Sequence, residues 1–138
     1  MTDSENAPVA IIAESDDETR FLIKSVLELQ GFVVVEVGNE HDTCDLAFCY
    51  QPDLILIELR LPLMNGYSTI RRIRREPDLR KTPIIAISAR EPRTTGRLAL
   101  AAGCSALVQK PVDFDSLESV LERLVPCEKL SMISMLVH

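Results

Sequence analysis

Five short apolar runs, each followed by a longer segment with helical spacing, constrain the fold of this chain most strongly. The runs cover residues 9–13, 32–35, 54–57, 84–87 and, more weakly, 106–108. The stronger runs are continuously apolar rather than alternating, which is typical of parallel strands covered on both faces. The order therefore predicts an α/β fold of the (βα)5 type, a doubly wound five-stranded parallel sheet in a three-layer sandwich.

The segments between the runs carry apolar residues at helical spacing, with helix-ending residues at their borders. Gly31 and Gly103 follow the first and fourth segments as C-terminal caps, and Pro52 bars continuation of the second. The predicted helices cover residues 18–30, 40–50, 67–75, 93–102 and 113–124.

Length and charge limit the classes of protein that this chain can represent. Its 138 residues suit one domain, and its net charge of −6 argues against a nucleic-acid-binding surface. The basic cluster 71–75 falls on a predicted helix and is interpreted as a solvated helix face. No run approaches the roughly 20 apolar residues that a membrane-spanning helix needs. The four cysteines show no metal-type spacing, so we expect a reducing, cytoplasmic setting.

The two ends of the chain differ in composition from its central part. Residues 1–7 are polar and acidic and are expected to be disordered, whereas residues 8–125 are expected to form the domain. Residues 126–138 form an apolar tail that could pack on its own domain, contribute to a dimer or partner interface, or reflect a chosen boundary. His41 and His138 are isolated, and we assign neither a role.

Polar residues follow four of the apolar runs, where a doubly wound sheet places its binding crevice. Glu58 follows the third run, Ser88 the fourth and Lys110 the fifth, whereas residues 14–17 follow the first. Ser15 and Glu18 have the form of a capping box, and Asp16 or Asp17 could cap the first helix instead.

These residues and their flanking motifs resemble the receiver domain of two-component response regulators, over about residues 8–125. The motifs are PDLILIE at 52–58 followed by LPLMNG at 61–66, PIIAISA at 83–89, Ala102-Gly103 and Lys110-Pro111. The resemblance implies the CheY-like, flavodoxin-like version of the predicted fold.

The resemblance also implies a site. In typical members two acids after the first strand, together with an aspartate after the third, hold Mg²⁺, and that aspartate is phosphorylated. A hydroxyl and a lysine then contact the phosphoryl group. Carried over, the positions are Glu14 and Ser15 for the metal site, Glu58 for the phosphoacceptor, Ser88 for the hydroxyl, Lys110 for the lysine and Leu107 for the aromatic switch.

Three of these positions depart from the family pattern. Glu58 is one methylene longer than aspartate, and in-line attack tolerates little misplacement. Ser15 removes a carboxylate that Mg²⁺ would use, and Leu107 lacks the aromatic ring of the usual switch. Glu58 could reach toward Lys110 and Ser88 and imitate a phosphoryl group, or it could be a tolerated acid paired with Lys110.

We therefore predict a stand-alone, atypical receiver that is not an enzyme and acts through phosphorylation-independent contact with another protein. We expect no metal or cofactor, nucleic acid or membrane. The partner would be a histidine kinase, a phosphotransfer protein or another regulator. The family's contact face, helix four, strand five and helix five, would include Arg97 and Leu107 and could also form a homodimer.

Two other functions stay open. The first is a receiver that is still phosphorylated by a histidine kinase with Mg²⁺, which Ser88 and Lys110 favour. The second is a flavodoxin-like protein that binds a nucleotide or flavin, which the absence of a glycine-rich loop after the first run disfavours.

Overall fold

The computed structural model describes residues 7–37, 43–60, 65–89 and 92–125. The tail 126–138, residues 1–6, His41 and Cys127 lie outside the described residues. The strands are β1 (Val9–Ala13), β2 (Val33–Glu36), β3 (Leu54–Glu58), β4 (Ile84–Ser88) and β5 (Ala106–Gln109). The helices are α1 (Asp17–Leu29), α2 (Thr43–Tyr50), α3 (Gly66–Arg75), α4 (Pro92–Ala102) and α5 (Phe114–Leu124), with a short 3-10 helix at Pro77–Leu79.

The five strands form one parallel sheet in the order β2-β1-β3-β4-β5. The strand order reverses beside β1, so β1 and β3 flank the crevice of a doubly wound sheet. The predicted fold class is confirmed.

Each face of the sheet has its own apolar core. One core joins the sheet to α1 and α5, through residues such as Ile23 and Leu117. The other joins it to α2, α3 and α4, through residues such as Ala47, Ile70 and Ala99. Every residue of β3 and β4 is buried, which explains their continuously apolar runs. Each fully buried Ile or Leu contributes roughly 1.5–3 kcal/mol to stability.

The predicted ends of the first helix lie within one residue of the observed ones. Asp16, rather than Ser15, is its N-cap, because the Asp16 carboxylate accepts a hydrogen bond from Thr19 N at 2.8 Å. Gly31 and Gly103 follow α1 and α4 with φ of 99° and 120°, which confirms their predicted role as C-terminal caps. The 3-10 helix was not predicted, since three residues are too few for a periodic signal.

The three cysteines within the described ranges are free thiols. Cys104 is buried, Cys44 is half-buried and Cys49 is exposed. Across the described ranges, none of the helices has the length and apolar character that a membrane span requires.

Candidate functional site

Parallel strands place the predicted polar residues at one edge of the sheet. Glu14 directly follows β1, Glu58 is the last residue of β3, and Lys110 directly follows β5. Since β1 and β3 are neighbours, the two carboxylates face each other across the crevice. The structure thus brings together residues that are far apart in sequence.

The ammonium group of Lys110 bridges the two carboxylates. Lys110 Nζ donates to Glu14 Oε2 at 2.7 Å and to Glu58 Oε2 at 2.9 Å. The side chains of Glu14 and Glu58 are 0% and 12% exposed, and that of Lys110 is 17% exposed. The ion pairs are therefore largely shielded from solvent, where charge-assisted hydrogen bonds are strong.

Ser15 engages the second oxygen of Glu58. Its backbone N donates to Glu58 Oε1 at 3.0 Å, and its hydroxyl donates to the same atom at 2.7 Å. Both carboxylate oxygens of Glu58 are thus hydrogen-bonded, one to Ser15 and one to Lys110. Ser15, which the sequence interpretation treated as a lost carboxylate, supplies a donor that the longer glutamate arm can use.

Glu14 differs from Glu58 in that one of its oxygens lacks a partner. Glu14 Oε2 accepts from Lys110 and from Asp16 N, the latter at 2.9 Å. Glu14 Oε1 is buried and accepts no hydrogen bond from the described part of the chain. Burial raises the pKa of Glu14 above its ordinary value, because the hydrogen bonds from Lys110 and Asp16 offset the lost hydration only in part.

The hydrogen bonds set the charge state of the other two groups. Burial alone would raise the pKa of Glu58, but hydrogen bonds from Ser15 and Lys110 outweigh it and hold that pKa below its ordinary value. Burial would likewise lower the pKa of Lys110, but its two carboxylate partners hold that pKa above its ordinary value. Glu58 and Lys110 therefore form a stable ion pair at neutral pH.

Gly66 fixes α3 directly against the end of β3. A Cβ atom at Gly66 would lie 2.5 Å from Glu58 O and 2.7 Å from Leu59 Cα, so only glycine permits this approach. Gly66 N donates to Leu59 O at 3.1 Å, and the Asn65 side chain caps α3 by accepting from Tyr67 N. Asn65 and Gly66 thus serve the predicted turn and also position the strand end that carries Glu58.

Backbone contacts hold the remaining wall of the site. Ser88 is the last residue of β4 and is 3% exposed. Lys110 N donates to Ser88 O at 2.7 Å, and the Lys110–Pro111 peptide bond is cis. Leu107 is half-buried in β5 and packs toward α4, where the position of a Gly96 Cβ would be 3.8 Å from Leu107 Cδ2.

Arg20 is a site residue whose role sequence reasoning missed. Its Nη1 donates to Glu14 O at 2.9 Å, and its guanidinium also pairs with Asp17 and Glu36. Arg20 therefore anchors the backbone that presents Glu14. Its position one turn after the N-cap Asp16 was the available signal, because such a side chain can reach back over the start of the helix.

The donor set fits a tightly held metal ion poorly. Within the described ranges, no group of three or more His, Cys, Asp or Glu side chains could hold a metal. Lys110 already contacts both pocket carboxylates, and Asp16 is committed to capping α1. A divalent cation would have to compete with Lys110 for Glu14 and Glu58.

A groove adjoins the site on the predicted contact face. It has a volume of about 460 Å³, lies along β5 and the start of α5, and is lined in part by Leu107, Lys110 and Val120. Leu98 and Leu100 of α4 are 53% and 61% exposed nearby in the fold. Lys110 links this groove to the carboxylate pocket.

Comparison with known proteins identifies the class of protein that has this fold and site. Residues 10–122 match the response regulator receiver domain family. The chain therefore belongs to this family, whose receiver domains act in two-component signalling. This confirms the family that the strand-end motifs indicated.

Individual relatives are distant. The chain is 27% identical over 106 residues to the polar-differentiation response regulator DivK of Brucella anthropi, covering 76% of this chain and 86% of that protein. It is 28% identical over 125 residues to the probable transcriptional regulator ycf29 of Pyropia yezoensis, covering 91% of this chain but only 56% of that protein.

A solved receiver domain shows the same architecture. The receiver domain of the sensor histidine kinase PA1611 from Pseudomonas aeruginosa is 28% identical, with a TM-score of 0.77. The match covers 86% of this chain and 97% of that domain. That structure has a magnesium ion coordinated in its active-site cleft.

Proposed function

We propose that this receiver acts in two-component signalling through phosphorylation-independent protein–protein contact. The observation that carries the proposal is that both oxygens of Glu58 are hydrogen-bonded, at the position of the family's phosphoacceptor aspartate. Glu58 Oε1 accepts two hydrogen bonds from Ser15 and its Oε2 accepts one from Lys110.

These hydrogen bonds oppose phosphoryl transfer in two ways. A carboxylate oxygen attacks phosphorus only when a lone pair can be aligned in line with the leaving group, and hydrogen bonds occupy three of the roughly four lone-pair directions of Glu58. The lysine that would contact the phosphoryl group already donates to two carboxylates. Phosphorylation would therefore have to break the ion pairs that hold the pocket together.

We also propose that Mg²⁺ binds this pocket weakly. Ser15 supplies a hydroxyl where the family supplies a carboxylate, and hard cations prefer charged oxygen ligands. If the ion does bind, Glu14 and Glu58 are the residues that would hold it, and it would offset the charge of an incoming phosphoryl group.

Incubation with Mg²⁺ and acetyl phosphate, followed by intact-mass measurement, tests the proposal. We expect the mass of the natural protein to stay unchanged. The double variant Glu58→Asp/Ser15→Asp restores both carboxylates of the family pattern, and we expect it to gain one phosphoryl group. Glu58→Asp alone separates the effect of arm length from that of the metal site. A phosphoryl group found on Glu58 of the natural protein would overturn the proposal.

One observation favours the alternative, a receiver still phosphorylated with Mg²⁺. Glu14 Oε1 is buried beside Glu58 without a partner in the described residues, and such an oxygen is a ready ligand for a hard cation. A titration of the natural protein with Mg²⁺, followed by amide chemical shifts, decides this point. Millimolar or tighter binding centred on Glu14 supports the alternative.

The pairing of Glu58 with Lys110 is compatible with two roles for Glu58. Glu58 either holds the domain in an active-like state or simply completes an ion pair. Comparing amide chemical shifts of the natural protein with those of Glu58→Gln distinguishes them. Changes that extend along β5 to Leu107 and into α4 support an active-like state, whereas changes confined to the pocket support a structural ion pair.

The partner we propose is a histidine kinase, a phosphotransfer protein or another regulator. The surface formed by α4, β5 and α5 supports this proposal, because Leu98 and Leu100 of α4 are exposed and a groove lies along β5 and the start of α5. Leu107 contributes an apolar contact there rather than a ring that changes position.

A further inference from the structure

A second groove lies between α2 and α3, on the opposite face of the sheet from α1 and α5. Its volume is about 370 Å³. Ile73 and Leu79 form its buried floor, Cys44 is half-buried, and Phe48 is 55% exposed on its wall. The floor is apolar but almost closed to solvent, so Phe48 supplies the exposed apolar surface of the groove.

Arg72 lines the α3 side of this groove, and further exposed cations lie on α3 and in the segment that follows it. Residues 66–82 contain six Arg and Lys against two Asp and Glu, a net charge of +4 in a chain of net charge −6. The exposed cations are Arg71, Arg72, Arg75, Arg80 and Lys81. We call these five residues the α3 basic rim. Within the described ranges none of them forms an ion pair; Arg71 contacts the hydroxyl of Ser68 at 3.4 Å.

Repulsion between the arginines of the α3 basic rim destabilises α3. Arg71 and Arg75 are four residues apart and Arg72 and Arg75 are three apart, so like charges meet on the helix surface. Each such pair destabilises a helix by roughly 0.2–0.5 kcal/mol. Arg74 shows the contrast, because its guanidinium donates to Gly103 O and Leu79 O, both at 2.8 Å, and stabilises the fold. Arg72 and Arg75 lie in the last turn of α3, where cations complement the helix dipole, but within the described ranges neither of them donates a hydrogen bond to the rest of the fold.

We propose that this groove is the docking site for an acidic, amphipathic helix of a partner protein. An apolar stripe at i, i+3, i+4 and i+7 would pack on Phe48, above the buried floor of Ile73 and Leu79. Carboxylates flanking that stripe would pair with Arg71, Arg72 and Arg75. The site uses neither Glu58 nor Lys110, so it is independent of the function proposed above.

Two features favour a peptide over a nucleic acid as the occupant. The floor of the groove is apolar, whereas a phosphate backbone needs polar and charged contacts. Asp45 and Glu76 also line the groove, so its occupant needs cations opposite them, which a uniformly anionic phosphate backbone lacks. In an amphipathic helix those two carboxylates can be matched by single cations.

The test uses a synthetic peptide of about four helical turns, with leucines at i, i+3, i+4 and i+7, flanking glutamates and one tryptophan. The protein contains no tryptophan, so peptide fluorescence reports binding directly. We expect saturable binding that weakens with salt and shifts the amide signals of α2 and α3. We expect Arg72→Glu/Arg75→Glu to weaken it at least about tenfold, and Phe48→Ser about fivefold.

The matched control is Arg97→Glu/Arg123→Glu, which changes the net charge equally at exposed positions of α4 and α5. We expect it to change the affinity by less than about twofold. Equal weakening by both double variants, or equal binding of a scrambled peptide, overturns the proposal. Tighter binding of a short DNA duplex than of the peptide also overturns it. So does a peptide-free dimer, seen by light scattering, that Arg72→Glu/Arg75→Glu dissociates, because the occupant is then a second copy of this chain.

Discussion

Lys110 and the α3 basic rim are both positively charged, but they differ in burial and in their contacts with carboxylates. Lys110 is largely buried and contacts two carboxylates within 3 Å. The arginines of the rim are exposed, and within the described ranges they contact none. The charge of Lys110 is paired within the pocket, whereas the charges of the α3 basic rim are exposed to solvent.

The difference indicates where each region can act. A phosphoryl group could reach Glu58 only by breaking the hydrogen bonds that its oxygens already accept, which is why we propose that the pocket is not phosphorylated. A surface with exposed charges beside a groove gains bonds when a partner arrives. We therefore propose that the pocket stabilises the fold and that the α3 basic rim recognises another protein.

Removing the buried cation has the largest expected effect. In Lys110→Met, Glu14 and Glu58 face each other without compensation, and we expect the free energy of unfolding at pH 7 to fall by about 3 kcal/mol. Urea denaturation measures this loss. Lys24→Met, which removes only the exposed pair with Glu36, is the control, and its loss should stay below about 1 kcal/mol. Similar losses in both variants would show that the pocket network does not stabilise the fold.

Arg74 tests whether the two kinds of arginine on α3 differ. In Arg74→Met, Gly103 O and Leu79 O lose their donors, and we expect a loss of about 2 kcal/mol. Arg72→Met lies two residues away on the exposed surface, where a change within about 0.5 kcal/mol is expected. Thermal unfolding of the two variants side by side checks the difference, which disappears if Arg74 is as dispensable as Arg72.

The pH dependence of the stability of Glu58→Gln tests the charge state of Glu58. At pH 7 we expect this variant to be about 1 kcal/mol less stable than the natural protein, since the charged hydrogen bond to Lys110 is lost. The folded-state pKa of Glu58 lies below its ordinary value of 4.5. The stabilisation is therefore fully present above pH 4.5 and is lost as the pH falls through the folded-state pKa. A stability difference that instead widens with acid contradicts this assignment.

The smallest effect is expected from the rim itself. Arg72→Glu/Arg75→Glu should change the free energy of unfolding by no more than about 0.5 kcal/mol, because neither side chain forms an ion pair with another described residue. Urea denaturation beside the natural protein measures this. A loss as large as that of Arg74→Met would mean that the rim stabilises the fold, and the contrast with Lys110 would fail.

Much of the fold was predictable, because local patterns carried it. Continuous apolar runs require strands that are covered on both faces, and β3 and β4 are buried throughout. Gly31 and Gly103 follow the ends of two helices because the backbone there has a positive φ, which favours glycine. The helix boundaries moved by one residue at α1, because capping depends on which side chain reaches the first free amide, and here Asp16 does.

Five residues of the candidate site were also visible in the sequence, because each follows a predicted strand: Glu14, Ser15, Glu58, Ser88 and Lys110. Their contacts were not visible. Ser15 seemed a simple loss of charge, whereas in the fold its backbone and hydroxyl both donate to Glu58. Arg20 was recognisable as a helix residue, but not as the donor to Glu14 O.

The sequence by itself determined the order of strands and helices, and the identity of the acids and the lysine at the strand ends. It did so because burial and backbone preference act over a few residues. Only the tertiary structure decided how those charges are shared, because Glu14, Glu58 and Lys110 are separated by up to 96 residues and meet where three strands end. It also decided that Arg74 donates to two backbone carbonyl oxygens, whereas Arg71, Arg72 and Arg75 are exposed, since one side of the helix contacts the fold and the other faces water.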